Sequence, residues 1–325
     1  MRFRSVRGSI EGGDRISGRR DLKVTLEIGT TLFLDGAKTR GAPELRAVSF
    51  RGVLRFWLRA LLDGVLGDDP QKIFECESKV FGSTGHVSPV VVRIEHSGKL
   101  DSDNFDPLLH RSERKSFNFK GFKPGQKFTL TLLSRNENPL SQAANALRLL
   151  CLLGGLGRRN RRGYGSLQIV ERDLPSLKAE NHYELCSQLE RQLEEILSSN
   201  ASVISVPSFP MLHASWGQVK VCKTEFNDWE EAINSVMQEA SKHKNPALGW
   251  AGKEGRQASP VHVHIVKLTN SRYALVLINL LSELNQNLKS HADRNKLVDF
   301  LNAFEGEVVF GFKEVPENWP IGSEK

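Results

Sequence analysis

The spacing of apolar residues predicts a regular series of strands and helices in the first half of the chain. Val24, Leu26 and Ile28 alternate with polar residues, which is typical of a strand. From Phe50 onward, apolar residues recur every three or four positions, which predicts a helix with Ser49 as its N-cap. The predicted elements are, in order, a strand over 22–34, a helix over 50–66, strands over 87–95 and 126–133, a helix over 140–153 and a strand over 166–171.

The second half repeats this order after a charged amphipathic helix predicted over 182–197. Its elements are a strand over 214–223, a helix over 228–243, strands over 261–268 and 273–281, a helix over 292–304 and a strand over 306–312. Two βαββαβ units predict an α+β protein with two ferredoxin-like, RRM-like domains. We expect an arm over 1–20, domains over 21–175 and 206–325, and a helical linker over 176–205. This fold serves enzymes, RNA binders and scaffolds alike, so it does not settle function.

Composition excludes several classes of protein. The 325 residues are 39% hydrophobic and 26% charged, which rules out a disordered, collagen-like or disulfide-stapled chain. No uncharged apolar stretch reaches the roughly 18 residues of a membrane span, and no apolar segment follows the basic start, so we expect no secretory signal and no membrane partner. The four cysteines form no CxxC pair, which favours reduced thiols and a cytoplasmic location.

Positive charge is concentrated near the N-terminus. Residues 1–60 hold 13 Lys and Arg against 6 Asp and Glu, whereas the remaining residues hold 32 of each. A local basic excess on an otherwise balanced chain predicts a site for a polyanion. The alternative is a solvated basic arm.

The segment 154–166, here called the glycine-arginine loop, is the most unusual stretch of the sequence. It holds five glycines and four arginines between a predicted helix and a predicted strand. Glycine allows positive φ and close approach of the backbone to an anion, arginine pairs with phosphate, and an aromatic ring can stack on a base. It matches neither a Walker loop nor a dinucleotide fingerprint. The alternative is a helix cap followed by a solvated loop. The predicted RNA contacts here are Gly155, Gly157, Arg158, Arg159, Arg161, Arg162, Gly163, Tyr164 and Gly165.

Arg51, Arg55 and Arg59 form a second basic feature, at i, i+4 and i+8 of the first predicted helix. Arginines so spaced without acidic partners repel one another, and bound phosphates would offset that repulsion. The alternative is a solvated face whose salt bridges come from other parts of the fold.

Several motifs together resemble the RAMP proteins of CRISPR systems, and within them the first-subunit family of the Cmr, or type III-B, effector complexes. They are Phe33-Leu34-Asp35-Gly36-Ala37, Glu44-Leu45-Arg46, the segment 49–59 (SFRGVLRFWLR), Phe81-Gly82-Ser83, Arg256-Gln257-Ala258-Ser259-Pro260 and the glycine-arginine loop. The resemblance spans most of the chain.

The resemblance implies two ferredoxin-like RAMP domains and a non-catalytic subunit at one end of a complex. Such a subunit holds the 3′ part of the guide RNA, contacts target RNA and binds the other Cmr subunits. The predicted RNA contacts therefore also include Lys38, Arg40, Arg46, Arg256 and Ser259. We expect no cofactor and no metal site. Asp68 and Asp69, and the aspartates of 101–106, lie among turn-forming residues, which favours turn and cap chemistry over magnesium binding.

Two other functions remain open from the sequence. One is a metal-independent RAMP endoribonuclease that processes precursor guide RNA, which would use a histidine as general acid or base. Residues 1–85 hold no histidine, and the candidates are His86, His96, His110 and the pair His262 and His264 on one strand face, a pair that more often serves packing. The other is an assembly subunit whose arginines meet acidic protein neighbours.

Overall fold

The structure is a computed structural model that describes residues 20–36, 41–108, 118–197 and 205–319. The predicted arm therefore lies outside the described residues except for Arg20, as do Lys38 and Arg40. Elements of the first half are β1 (Arg20–Ile28), α1 (Ala47–Leu66), α2 (Pro70–Phe81), β2 (Val91–Glu95), β3 (Ser102–Phe105), β4 (Phe119–Phe122), β5 (Lys127–Ser134), α3 (Glu137–Leu153) and β6 (Leu167–Arg172).

Elements of the second half follow without a break in numbering. They are α4 (His182–Ile196), β7 (Gly217–Phe226), α5 (Trp229–Lys242), β8 (Trp250–Gly252), β9 (Gly255–Gln257), β10 (Val261–Lys267), β11 (Tyr273–Leu280), α6 (Gln286–Lys289), α7 (Arg294–Asn302) and β12 (Gly306–Gly311). Every strand and helix predicted from the sequence is present, with ends shifted by a few residues. The predicted α+β class with antiparallel sheets is confirmed.

The first sheet has the order β2-β5-β1-β6 and is antiparallel throughout. Its first strand ends at Ile28 rather than at residue 34. The backbone pairing with β6 stops there because the Ser166 amide donates to the Thr30 hydroxyl at 3.0 Å and not to a carbonyl of the first strand. Residues 29–34 are buried all the same, which explains why their apolar pattern predicted a longer strand.

The first helix confirms the predicted apolar stripe but not its start. Phe50, Leu54, Trp57 and Leu58 are buried in the core. Ser49 is not the N-cap, because its own amide already donates to Arg46 O at 3.0 Å inside the first turn. The helix therefore begins nearly one turn earlier than predicted.

Helix α2 and the β3–β4 hairpin were not predicted, although α2 has ordinary start signals. Asp69 is the N-cap of α2 and accepts from the Lys72 amide at 3.1 Å, and Pro70 is the first helical residue. Asp103 and Asp106 likewise accept from nearby backbone amides, at 2.8 and 2.7 Å. The prediction of cap and turn chemistry is confirmed for these three aspartates.

The second sheet, in the order β10-β11-β7-β12, is covered on both faces. Val263 and Ile265 of β10 face one hydrophobic cluster with α5 and α7. Val266 faces the other cluster, which runs through α4 into the core of the first half. The sheet is therefore a shared wall between the two halves of the chain.

Side chains of the first half form hydrogen bonds with the backbone of the second half across the junction. Ser166 Oγ accepts from the Ile265 amide at 3.1 Å. Gln168 donates to Lys267 O at 3.2 Å and accepts from the Lys267 amide at 3.1 Å. These bonds fix β6 of the first half against β10 of the second.

Candidate RNA interface

The glycine-arginine loop joins α3 to β6 at the junction between the halves. It contains a short 3-10 turn, Asn160–Arg162, and four residues with positive φ, which are Gly157 (84°), Arg159 (58°), Gly163 (87°) and Gly165 (70°). Only glycine adopts such angles without strain as a rule. The prediction that the glycines serve unusual backbone geometry is confirmed for Gly157, Gly163 and Gly165.

These glycines lie against protein atoms, however, and not against an open surface. A Cβ on Gly157 would overlap Phe33 O, and one on Gly165 would overlap Leu156 O. A Cβ on Gly155 would lie 2.7 Å from Tyr164 O. The expectation that these glycines admit a phosphate to the backbone is therefore wrong for all three, since this chain's own carbonyls occupy the space that a side chain would fill.

Several amides of the loop are likewise occupied within the chain. Arg158 N donates to Phe33 O at 2.8 Å, Leu156 N to Gly165 O at 2.9 Å, and Gly165 N to Thr31 O at 3.0 Å. The Gly163 carbonyl accepts from the Thr30 hydroxyl at 2.7 Å. The loop backbone is therefore a scaffold, and the arginine side chains remain the candidates for binding an anion.

Tyr164 does not offer its ring to a base, which corrects the prediction. The side chain is fully buried, 5.0 Å from Phe33 and 6.1 Å from Trp229 between ring centroids. Its hydroxyl donates to Asp106 O at 3.3 Å, and burial raises the pKa of the phenol. Tyr164 stabilises the junction instead.

Two arginines of the loop are tethered to motifs far away in the sequence. Arg158 pairs with Asp35 and lies 5.1 Å from the Phe119 ring centroid. Arg161 donates to Ser259 O and lies 5.9 Å from the Phe56 ring centroid, and burial lowers the pKa of its guanidinium. Arg162 is exposed and Arg159 is half-buried. The predicted contact Ser259 therefore serves first to hold Arg161.

The arginine stripe of α1 has an acidic partner that sequence reasoning missed. Glu77 of α2, almost fully buried, lies 2.7 Å from Arg55 Nε and 3.3 Å from Arg59 Nε between charged atoms. Arg55 also donates to Gly82 O. The expectation of a stripe without acidic partners is therefore wrong for Arg55 and Arg59, because α2 was not predicted.

Three of the predicted RNA contacts, unlike Arg55 and Arg59, are not paired with an acidic side chain of the described residues. Arg46 and Arg256 are exposed and Arg51 is half-buried. None of them forms an ion pair with the part of the chain that the structure describes. No carboxylate of the described residues therefore pairs with these three arginines.

The histidine pair of β10 is confirmed to share one strand face, and that face is turned into the junction. His262 stacks on Phe56 at 5.5 Å between centroids, and His264 Nδ1 donates to Gly154 O at 2.6 Å. Burial lowers the pKa of both rings, that of His264 to about 4. Neither ring reaches solvent to transfer a proton, so the pair serves packing. His86 and His96 are exposed, and His110 lies outside the described residues.

A cavity of about 490 Å³ opens beside the loop, and no motif in the sequence predicted it. The first half contributes Leu108, Arg161 and Arg162, and the second half contributes the rest. Its basic or imidazole side chains are Arg161, Arg162, His243 and Lys244, and no carboxylate lines it among the described residues. The residues that line the cavity are spread over α5, the segment 244–250 and β10, so no local sequence pattern predicted it.

The described residues hold neither a metal-binding group nor a membrane-spanning helix. No group of three or more histidine, cysteine or carboxylate side chains is arranged to hold a metal within 20–36, 41–108, 118–197 and 205–319. In the same ranges, no helix combines the length and apolarity that crossing a membrane requires. The four cysteines are free thiols.

Comparison with known proteins gives consistent results. Residues 25–168 match the model of the RAMP superfamily. The CRISPR system Cmr subunit Cmr1-1 of Pyrococcus furiosus is 27% identical over 314 residues, covering 85% of this chain and 92% of that protein. Subunit Cmr1-2 of the same organism is 35% identical over 173 residues, covering 44% of this chain and 92% of that protein.

Solved structures share the fold. The crystal structure of apo Cmr1 from Pyrococcus furiosus superposes with a TM-score of 0.66 at 23% identity, covering 90% of this chain and 99% of that chain. A chain of the type III-B Cmr-beta bound to cognate target RNA gives 0.60 at 13% identity, covering 87% and 99%. From the loop, the motifs tethered to it and these matches, the chain belongs to the RAMP superfamily, as a member of the Cmr subunit 1 family of type III-B CRISPR effector complexes.

Proposed function

We propose that this chain is a non-catalytic RNA-binding subunit of a Cmr effector complex, which holds the 3′ part of the guide RNA and contacts target RNA in antiviral defence. Its relatives are Cmr subunits by name, and one solved structure of the same fold is of a Cmr complex bound to target RNA. Other Cmr subunits are its proposed protein partners, and the cytoplasm is its proposed location.

We also propose that the two halves are two ferredoxin-like RAMP domains with the boundaries given above. In each sheet, the second strand of the unit lies at one edge, followed by the third, the first and the fourth. This order, with two helices packed on one face of each sheet, is the arrangement that a βαββαβ unit adopts.

The observation that carries the RNA-binding proposal is the clustering of basic side chains at the junction, where Glu239, the partner of His243 at 3.0 Å, lies outside the cavity lining. Arg161, Arg162, His243 and Lys244 line one cavity, and the described residues add no carboxylate to that lining. Phosphate neutralisation by arginine and lysine supplies most of the affinity for a nucleic-acid backbone. Sequence selection then belongs to guide–target pairing.

We assign two roles to the predicted contacts. Arg46, Arg51, Arg159, Arg162 and Arg256 are the proposed phosphate contacts, with Lys38 and Arg40 as predictions outside the described residues. Arg55, Arg59, Arg158 and Arg161 are held by Glu77, Asp35 and Ser259, so we propose that they position the surface. Gly155, Gly157, Gly163 and Gly165 shape the scaffold.

Crosslinking inside a reconstituted complex tests the proposal. A photoreactive side chain placed at Arg162 should crosslink to guide or target RNA, whereas one at the exposed Arg93 of β2 is the matched control. Crosslinks from position 162 to protein alone would favour the assembly role instead. Incubation of the purified chain with repeat-containing RNA in EDTA should leave the RNA intact, and cleavage at one fixed site would favour the endoribonuclease.

A further inference from the structure

The cavity beside the glycine-arginine loop has the dimensions and lining of a nucleotide site. Its volume of about 490 Å³ lies within the range of pockets that enclose small ligands. Val236, Met237, Val263 and Phe300 form an apolar floor, and each is buried. Trp250 of β8 lines the same cavity and supplies an indole ring.

The charge at the cavity is suited to a strand of RNA. Arg161 and Arg162 reach it from the loop, and Lys244 reaches it from the end of α5. Glu239 pairs with His243 at 3.0 Å and Glu254 accepts from the Trp250 indole at 3.2 Å, but neither carboxylate is part of the cavity lining. The apolar chamber with its cationic side chains therefore matches a nucleotide, whose base is flat and apolar on its faces and whose phosphates are anionic. An acidic peptide would match the charge of the cavity, but it would not account for the indole ring of Trp250 or for the apolar floor.

We propose that this cavity receives one unpaired nucleobase of the RNA strand that lies along the loop, with Trp250 as its stacking partner and Arg162 and Lys244 on the adjoining phosphates. The inference rests on the proposed RNA-binding function and adds a defined subsite to it.

The polar side chains around the cavity predict that the subsite accepts any base. Asn245 Oδ1 accepts from the Ala247 and Asp293 amides at 3.0 and 2.9 Å, and its Nδ2 donates to His291 O at 3.2 Å. Gln257 Oε1 accepts from the Asn285 amide at 2.8 Å, and Ser259 Oγ accepts from the Val261 amide at 3.1 Å. These three side chains are committed to the fold, whereas the buried Nδ1 of His243 has no hydrogen-bond partner, so the base is held chiefly by its faces. Stacking of that kind tolerates every sequence.

The test uses a complex reconstituted with the full chain, in which the guide fixes the register of the RNA. Fluorescent 2-aminopurine is placed at one position at a time, in one series in the guide and in another in the target. We expect one position, in one of the two strands, to be quenched by stacking on Trp250. That signal should recover several-fold in the Trp250→Ala complex and in the Met237→Trp complex, where an indole fills the chamber.

Gln238→Trp is the matched control, because it adds the same ring to the next residue of α5, which is exposed and outside the cavity lining. It should leave the signal quenched. An abasic nucleotide at the responding position should weaken RNA retention by the wild-type complex about tenfold, a readout that needs no change in the protein.

Two results would overturn the inference and leave the proposed function standing. In one, no position responds to Met237→Trp or Trp250→Ala while RNA retention still depends on Arg162. In the other, Met237→Trp melts as the wild type does and binds RNA normally but fails to assemble, which means that a neighbouring subunit fills the cavity. Retention that is independent of Arg162 and of all the proposed phosphate contacts would instead contradict the proposed function.

Discussion

The guanidinium of Arg161, in the first half of the chain, donates a hydrogen bond to the backbone carbonyl of Ser259, in the second half. The contact joins two motifs that are 98 residues apart. Arg158 with Asp35, and Arg55 with Gly82, connect further motifs in the same way. The motifs that identify the family therefore contact one another within the chain, around the glycine-arginine loop and α1.

This arrangement predicts that Arg55 and Arg51 differ in their effect on stability. Arg55→Ala removes one partner of the buried Glu77 carboxylate, so the free energy of unfolding should fall by about 1–3 kcal/mol. Arg51→Ala removes no ion pair and should stay within about 0.5 kcal/mol of the wild type. Urea unfolding measures both. Equal losses in the two variants would mean that Glu77 does not depend on Arg55.

The loop glycines should be required for folding. In Gly165→Ala, the new Cβ meets Leu156 O and the residue keeps a positive φ, so we expect a loss of about 3 kcal/mol or more, or failure to fold. Gly52→Ala is the control, because Gly52 lies within α1 with nothing within 4 Å of its added Cβ. It should stabilise the protein by about 0.5–1 kcal/mol. Thermal melting of the two variants measures the contrast, and a Gly165→Ala protein as stable as the wild type would contradict the packing.

Acidification should weaken the junction between the halves. The folded state lowers the pKa of His262 and of His264, the latter from 6.5 to about 4. As the pH falls below about 6.5, the unfolded chain therefore takes up protons on these rings before the folded chain does. The stability from the neutral His264 ring is present above about pH 6.5 and is lost as the pH falls toward 4, and the contribution of His262 changes in the same direction.

Asp63 of α1 acts in the opposite direction. Burial, followed by the neighbouring charge of Asp68, raises its pKa from 3.8 to about 7. Ionisation in the unfolded state therefore weakens the fold as the pH rises through that window, and this partly offsets the histidines. A measurement specific to His264 is the gap in the free energy of unfolding between the wild type and His264→Asn. This gap should shrink by about 2 kcal/mol between pH 7 and pH 5. A gap for His264→Asn that stays constant over this range would contradict the assignment.

The dependence of RNA binding on salt should identify the phosphate contacts. With about four to six contacts, the slope of log affinity against log salt should be near −3 to −4 for a single strand. Alanine at Arg51 or Arg162 should each reduce the slope by about 0.7, whereas Arg93→Ala, on the edge strand β2, should leave it unchanged. Affinity titrations at several salt concentrations measure the slope, and a flat dependence would remove the electrostatic basis of binding.

The periodicity of the sequence predicted both sets of strands and helices, because each element buries one apolar stripe. It missed α2 although Asp69 and Pro70 mark its start, and that omission hid Glu77. Tyr164 shows a second limit. A tyrosine among arginines and glycines looks like a stacking platform, but its ring is covered by Phe33 and by Trp229 of the other half. Contacts between segments so far apart leave no local pattern.

The most direct measurement is the retention of guide and target RNA by a complex reconstituted with the Arg159→Ala/Arg162→Ala chain, at physiological salt. Removal of two proposed phosphate contacts should weaken retention by about tenfold or more at a temperature where melting of the free variant chain shows that it is folded. Retention equal to that of the wild-type complex would contradict the claim that this loop holds RNA.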